Sequence, residues 1–577
     1  MITFLSTLYP RIERRSRERA CSSRQIRFFL QSAEQSAFFS SGERLLRFLG
    51  SLSLSAYGRM GVFYGVFSSV ILLTRQKFSL PATMVSLGIA IASIPILHVE
   101  KSLYTELEDS RLLGGFLFDF CGFLCHEEQR KVKRCAWFPL FVAFFAAVLG
   151  IYLPSRILFG MLAGGILLYL LFLIPELGVC AVFLGLPFFQ QLSSPTLFLI
   201  LLSLLTCLAW LKKVLLGKRV ASFDFLDRLV LLLVVLYALS GVVGAGGASS
   251  AWEGLSRAAL LGFWFPVRGL LENERWQRRA TFSLCLSASF CALLGIFQYF
   301  FAERELLWVD ASRFSSLGSR VCATYSNPNF LALFLVLSLP FFLGIIFNKC
   351  HRAWIRSLAM LGFSAVCLCL ILTWTRGAWL GAAGEVAVFL LLCGKESLAV
   401  FLMLPIPVAA VLRFLPYPVR LRFLSIGSLG ESSIRYRLYT WRGVLRMLSA
   451  HPFGIGVGET AFQAIYPIYA VSGTERVMHA HRLDLQVLTE HGVIGFCVFL
   501  LFFLLILLRV LYALKCAKGQ ARIGILSAFC AILGATVMGC FDYIWYHFGN
   551  FTLFFMIAAW CCVRFSKEGE EEYHVKA

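Results

Sequence analysis

The chain has 577 residues, 59% of them hydrophobic, and a mean hydropathy of +0.78; soluble domains hold roughly 45 to 50% apolar residues, so a water-soluble globular fold is excluded. A net charge of +21 would suit nucleic acid, but the cations lie mainly between apolar runs, where the bias of Lys and Arg toward the cytoplasmic side of a membrane accounts for many of them. Nineteen cysteines would staple a small secreted domain, yet most, including Cys285, Cys291, Cys367, Cys369, Cys530 and Cys561, fall inside apolar runs and read as free core thiols.

In chain order, residues 1–56 form a basic segment, with Arg11, Arg14, Arg15, Arg17 and Arg19 and no apolar core of a cleavable signal. Residues 57–135 read as an N-terminal membrane extension, with spans near 60–73 and 79–98. The run 111–125 is short and holds Asp119, so it is expected to be interfacial. The main transmembrane domain is expected over 136–414, with apolar runs near 136–153, 157–174, 176–192, 195–211, 226–247, 251–271, 281–301, 328–347, 354–373, 377–393 and 397–414. A large polar loop follows at 415–491, then helices near 492–512, 522–541 and 546–564 within a C-terminal transmembrane region at 492–565, and a tail at 566–577. The expected fold class is all-α, a polytopic integral membrane protein of about 14 transmembrane helices (roughly 12 to 16). Runs of about 20 apolar residues cross as helices, and no alternating barrel pattern is present.

Counting crossings groups the basic loops 127–134, 212–228, 272–280, 348–356, 394–396 and 509–522 on one side, which is therefore the cytoplasm, with both termini. The loops 302–327, 374–376 and 415–491 then face outward. The last is basic without breaking the rule, because loops above about 60 residues translocate largely regardless of charge.

Polar chemistry concentrates in that outward loop. It carries Arg437 and Trp441, the turn His451-Pro-Phe-Gly454-Ile-Gly456, and His479-Ala-His481-Arg482 followed by nine residues and Gly492-Val-Ile-Gly495. Two earlier pieces are Tyr325-Ser-Asn327-Pro-Asn329 and Thr375-Arg376-Gly-Ala-Trp-Leu-Gly381. Together these resemble the bacterial O-antigen ligase and O-antigen polymerase family of polytopic glycan transferases, over roughly Ile157 to Arg564. Arg482 stands where the family carries an uncharged polar residue.

The resemblance implies transfer or polymerisation of polysaccharide linked to a polyprenyl pyrophosphate carrier, on the outer face of the bacterial cytoplasmic membrane. The enzyme would be O-antigen ligase-like, with a glycan or lipid-glycan as acceptor. A polymerase of the same family remains open, as does, in a different class, a flippase of lipid-linked glycan; a transporter is expected to show inverted repeats and midplane polar residues. On the family's pattern His481 is the catalytic base, suited because histidine titrates near neutrality. Arg376, Arg437, Arg320 and Arg482 would bind the donor pyrophosphate, for which the planar guanidinium is the better cation. Asn327 and Asn329 would cap a helix whose N-terminus favours an anion. Trp441, Gly454 and Gly456 would shape the loop, and Asp484, one turn beyond His481, could orient the imidazole. Glu385, mid-span, is a candidate by its cost in a membrane. The two histidines alone make no metal site, and no cysteine or carboxylate cluster at ligand spacing completes one, so neither metal nor other cofactor is expected, nor nucleic acid as partner.

Overall fold

The computed structural model describes residues 48–74, 80–110, 137–152, 170–215, 223–301, 320–403, 432–517 and 519–563, with a few isolated positions between them. The basic segment before residue 48, the interfacial run 111–125, half of the expected span 157–174, residues 302–319 and 421–431, and the tail 566–577 lie outside them. The chain divides into two compact units at Leu177–Gly178.

The first unit holds α1 (Leu54–Thr74), α2 (Leu80–Ser93), a 3-10 turn (Pro95–His98), α3 (Leu103–Asp109) and α4 (Trp137–Tyr152). Ser102 caps α3 by accepting from the Thr105 amide, and α1 packs on α2 and α4. α5 (Glu176–Phe189) crosses the boundary into the second unit.

The second unit continues with α6 (Pro195–Leu215), α7 (Phe225–Val243), α8 (Gly247–Leu261), α9 (Trp264–Leu270), α10 (Glu274–Phe301), α11 (Pro328–Phe347), α12 (Ala353–Leu372), α13 (Arg376–Cys393) and α14 (Lys395–Met403). It closes with α15 (Ser432–Ala450), α16 (Glu459–Ile465), α17 (Leu483–Cys516), α18 (Gly519–Gly539) and α19 (Phe548–Cys561). All regular structure among the described residues is helical, and the chain is an all-α polytopic membrane protein. By length and composition nine of these described helices can cross a membrane, and four more apolar helices are shorter.

α11 is the axis of the second unit. Of its apolar window 83% is buried, because α10, α12, α13, α18 and α19 all pack on it. Most other spans keep apolar side chains on the outside, as lipid-facing helices must.

One expected span is not a single helix. The run 251–271 breaks between α8 and α9 at Gly262–Phe263, four residues before Pro266, which has no N–H to close the helical bond to the Gly262 carbonyl. Asp224 and Asp227 form a reciprocal capping box at the start of α7. The break turns α9 so that Arg268 pairs with both carboxylates and the Trp264 indole donates to Asp227 at 2.9 Å. These pairs offset the cost of burying the charges, several kcal/mol per ion.

The polar loop is structured where it is described. α15, α16 and a 3-10 turn (Tyr466–Ile468) enclose a small core of Val444, Met447, Phe462, Tyr466, Val477 and Ala480. The helix expected to start at Gly492 begins earlier, at Leu483, and is interrupted at Gly492, whose φ of 67° departs from the helix. The Val493 amide donates to the Pro452 carbonyl at 2.9 Å and the Ile455 amide to the Thr489 carbonyl at 2.8 Å. A β-carbon on Gly492 would strike the Phe453 backbone at 2.3 Å, so the His-Pro-Phe-Gly turn docks directly in the helix break.

Candidate active site

Three connections between helices converge on one point: residues 320–329 before α11, 373–376 between α12 and α13, and 540–547 between α18 and α19. The 479–482 segment closes over them. Asn327 caps α11 by accepting from the Asn329 amide at 2.8 Å, with Pro328 in the first turn; such caps are worth about 1 kcal/mol. The cap directs the Asn329 side chain into a polar chain. Its Nδ2 donates to Asp542 Oδ2 at 2.7 Å, while its Oδ1 accepts from Arg320 Nη2 at 2.7 Å and from the Thr375 hydroxyl at 3.1 Å. Arg320 also donates to the Thr375 hydroxyl and the Thr373 carbonyl. Arg376, half-buried, is the next residue and opens α13.

His481 sits at the other end of the chain. Its Nδ1 lies 3.3 Å from Asp542 Oδ1, with side-chain exposures of 26% and 15%; the imidazole is therefore reachable while its partner is nearly enclosed. The same carboxylate oxygen accepts the Tyr543 amide at 2.9 Å. Burial works to raise the Asp542 carboxyl, but the hydrogen bond and charge of His481, with Arg437 and His479, hold it well below the usual carboxylate range. An ionised Asp542 takes the Nδ1 proton of His481 as its hydrogen bond and leaves Nε2 as the acceptor nitrogen. The His481 backbone is left-handed, with φ of 51°, a strained state for a non-glycine residue that the surroundings must hold. Its amide donates to His479 Nδ1 at 3.2 Å.

His479 is a neutral support. Burial, the neighbouring His481 charge and Arg437 bring it down to about 3 against the pull of Asp542. Its ring lies against Tyr543 and Tyr546. Trp441 holds the same segment from α15, its indole donating to the Ala480 carbonyl at 3.0 Å.

The structure thus brings together His481, Arg320, Asn327 and Asn329 from the sequence-derived set, with Arg376 adjoining and Arg437 near enough for its charge to act on Asp542. It does not bring the rest to the same point. Arg482 forms two 2.7 Å hydrogen bonds to Asp484 and lies over the Trp441 ring at 5.2 Å. Asp484 therefore does not orient His481; Asp542 is in that position. Gly454 and Gly456 act at the docked turn, with Gly456 against Gly244. Glu385, fully buried in α13 beside Gly534, has no hydrogen-bond partner on either oxygen among the described residues, and nine residues of helix put it roughly 13 Å from Arg376.

Asp542 was missed because it lies 61 residues from His481. A signal was present: an acid within Phe541-Asp-Tyr-Ile-Trp-Tyr-His547, in the short turn that crossing parity places on the same side as the large loop. Asp542 also supplies the carboxylate that sequence spacing did not. Ligand atoms of His479, His481 and Asp542 lie within 4.8 Å of one another and could hold a metal ion. In the structure His479 Nδ1 accepts the His481 backbone amide, His481 Nδ1 faces Asp542 Oδ1, and Asp542 accepts from Asn329 and the Tyr543 amide.

Chemically, the arrangement offers an acceptor nitrogen beside a backing carboxylate, with arginines nearby. No curated protein matches the chain. Residues 359–500, from α12 through the polar loop into α17, match the family model described as O-antigen ligase.

Proposed function

We propose that the protein transfers or polymerises polysaccharide carried on a polyprenyl pyrophosphate, at the outer face of the cytoplasmic membrane, with both termini in the cytoplasm. The observation that supports this most is the continuous hydrogen-bonded chain His481, Asp542, Asn329, Arg320, because a histidine and an arginine joined in one network are what a base beside a phosphate site would need. An acceptor hydroxyl gives its proton to His481 Nε2 as its oxygen bonds the donor's anomeric carbon. The bond from that carbon to the pyrophosphate breaks, and the lipid pyrophosphate leaves with the electron pair. Arg376, Arg437 and Arg320 stabilise the charge that grows on it. A pyrophosphate is already a good leaving group, so one base with several arginines is sufficient.

The test is transfer by purified full-length protein from a polyprenyl-pyrophosphate-linked glycan, with and without a strong chelator. The expected result is a new glycosidic bond, insensitive to chelation. Activity lost to the chelator and restored by one divalent ion would place a metal on His479, His481 and Asp542 instead. Absence of bond formation, with movement of intact donor across vesicles, would make the chain a flippase. A single addition marks a ligase and a ladder of products a polymerase.

A further inference from the structure

Beside the active site, behind Tyr546, lies a cavity of about 230 Å³ that the reaction above does not use. Its wall is built from the turn after α5, the start of α6, α8, the first turn of α11 and the 546–549 segment. Tyr546 belongs to both places: one contact of its ring is His479, at 5.1 Å between centroids, and it also lines the cavity. Phe189, Phe330 and Phe548 supply apolar walls, and Glu253 and Gln190 supply polar ones.

Both polar groups are fixed, and each keeps hydrogen-bonding capacity. Glu253 Oε2 accepts from the buried Arg257 at 2.9 Å, and among the described residues Oε1 has no partner. The carboxylate is seated by Gly458, where a β-carbon would fall 2.4 Å from it. Only glycine at this φ of 95° leaves the space. His547 Nδ1 accepts from the Asn550 amide, so its Nε2 donates, and Gln190 Oε1 accepts that bond at 2.9 Å. The Gln190 amide nitrogen is thereby fixed as a donor with no partner among the described residues.

We infer that this cavity is a subsite for one neutral sugar ring of a substrate. A carboxylate acceptor and an amide donor held at fixed positions match the hydroxyls of a pyranose, and the phenyl rings match its C–H faces. The carboxylate disfavours a phosphate there, which separates this subsite from the arginine rim. Its volume lies below the roughly 300 to 1,000 Å³ of pockets for drug-sized ligands, so it takes a single ring, not a chain. Tyr546 alone separates that ring from His479, two residues before the base. The inference rests on the transferase reading only for which substrate carries the sugar.

The experiment uses the detergent-purified full chain and a panel of neutral methyl hexopyranosides, followed by saturation-transfer NMR. At least one glycoside should bind the unmodified protein and His481→Ala equally. Binding should fall at least tenfold in Gln190→Ala, which removes the free donor, and vanish in Thr196→Trp, which fills the space. Folding of each variant is checked by its melting transition, and Gln190→Ala touches no buried charge. Binding of no glycoside, binding that survives Thr196→Trp, or competition by inorganic pyrophosphate would each overturn the subsite. In transfer assays Gln190→Ala should raise KM for one substrate with little change in kcat. A rise for the donor identifies its reducing-end sugar as the occupant, and a rise for the acceptor identifies the acceptor sugar. If no lipid-linked donor is ever turned over while glycoside binding and its loss hold, the transferase reading fails and the subsite stands.

Discussion

Replacing Asp542 by asparagine tests whether the carboxylate acts through His481. Each Asp542 oxygen faces donors: Oδ1 the His481 Nδ1 and the Tyr543 amide, Oδ2 the Asn329 amide. The new NH2 group therefore meets a donor in either orientation. Turned toward Oδ1, it would force the His481 proton onto Nε2 and remove the base; turned toward Oδ2, it disturbs Asn329 and, through it, Arg320. Even without such rearrangement a charge-assisted hydrogen bond is lost, worth about 1.5 to 3 kcal/mol. The 3.3 Å distance and the 26% exposure of His481 select the lower part of that range. At about 1.4 kcal/mol per tenfold, Asp542→Asn should lower kcat by roughly 10- to 30-fold as a minimum. His481→Ala should cost roughly 100-fold or more, the usual worth of a general base. The double variant should be no slower than His481→Ala, because groups acting as a unit are not additive. The assay is single-turnover transfer with saturating lipid-linked donor, with donor binding measured separately and expected to stay nearly intact. A full-rate Asp542→Asn enzyme, or a double variant whose losses multiply, would refute a carboxylate working through the histidine.

Three further outcomes are expected. Arg376→Ala should weaken donor binding and slow turnover together, since a phosphate contact exists before the reaction and strengthens during it; a change in turnover alone would move Arg376 off the donor. His479 has a folded-state value of about 3 against about 6.5 when unfolded, so the unfolded chain binds the proton first as pH falls. Its stabilising contribution is complete above about pH 6.5 and is lost toward pH 3; the melting-temperature gap between the unmodified protein and His479→Gln should be wider at pH 7.5 than at pH 5, and a gap independent of pH would contradict a buried neutral ring. In intact cells, Arg476→Cys on a cysteine-free background should react with a membrane-impermeant thiol reagent, while a lone Cys350 should not; the reverse pattern would invert the topology.

The sequence alone determined the class of the protein. Apolar runs long enough to cross a bilayer, separated by charged turns, leave helices as the only way to satisfy the backbone, and the described residues are helical throughout their regular structure. Local signals also held where the physics was local. Asn327-Pro328-Asn329 caps a helix, and the glycines of the 454–458 turn have positive φ. The polar loop with His481 and Trp441 stood out because polar density between apolar runs is visible without any fold. What only the tertiary structure decided was partnership across the chain. Asp542 reaches His481 over 61 residues because α18 and α19 fold their connecting turn under the loop. Asp484, near in sequence, is drawn away because Arg482 satisfies it with two hydrogen bonds at closer range. In the 251–271 run Pro266 marks the break in the sequence itself, while the pairing of Arg268 with buried Asp224 and Asp227 is decided only by the fold. For Asp542, Asp224 and Asp227 the deciding term is the cost of leaving a buried charge unpaired, and that cost depends on neighbours that only the folded chain brings together.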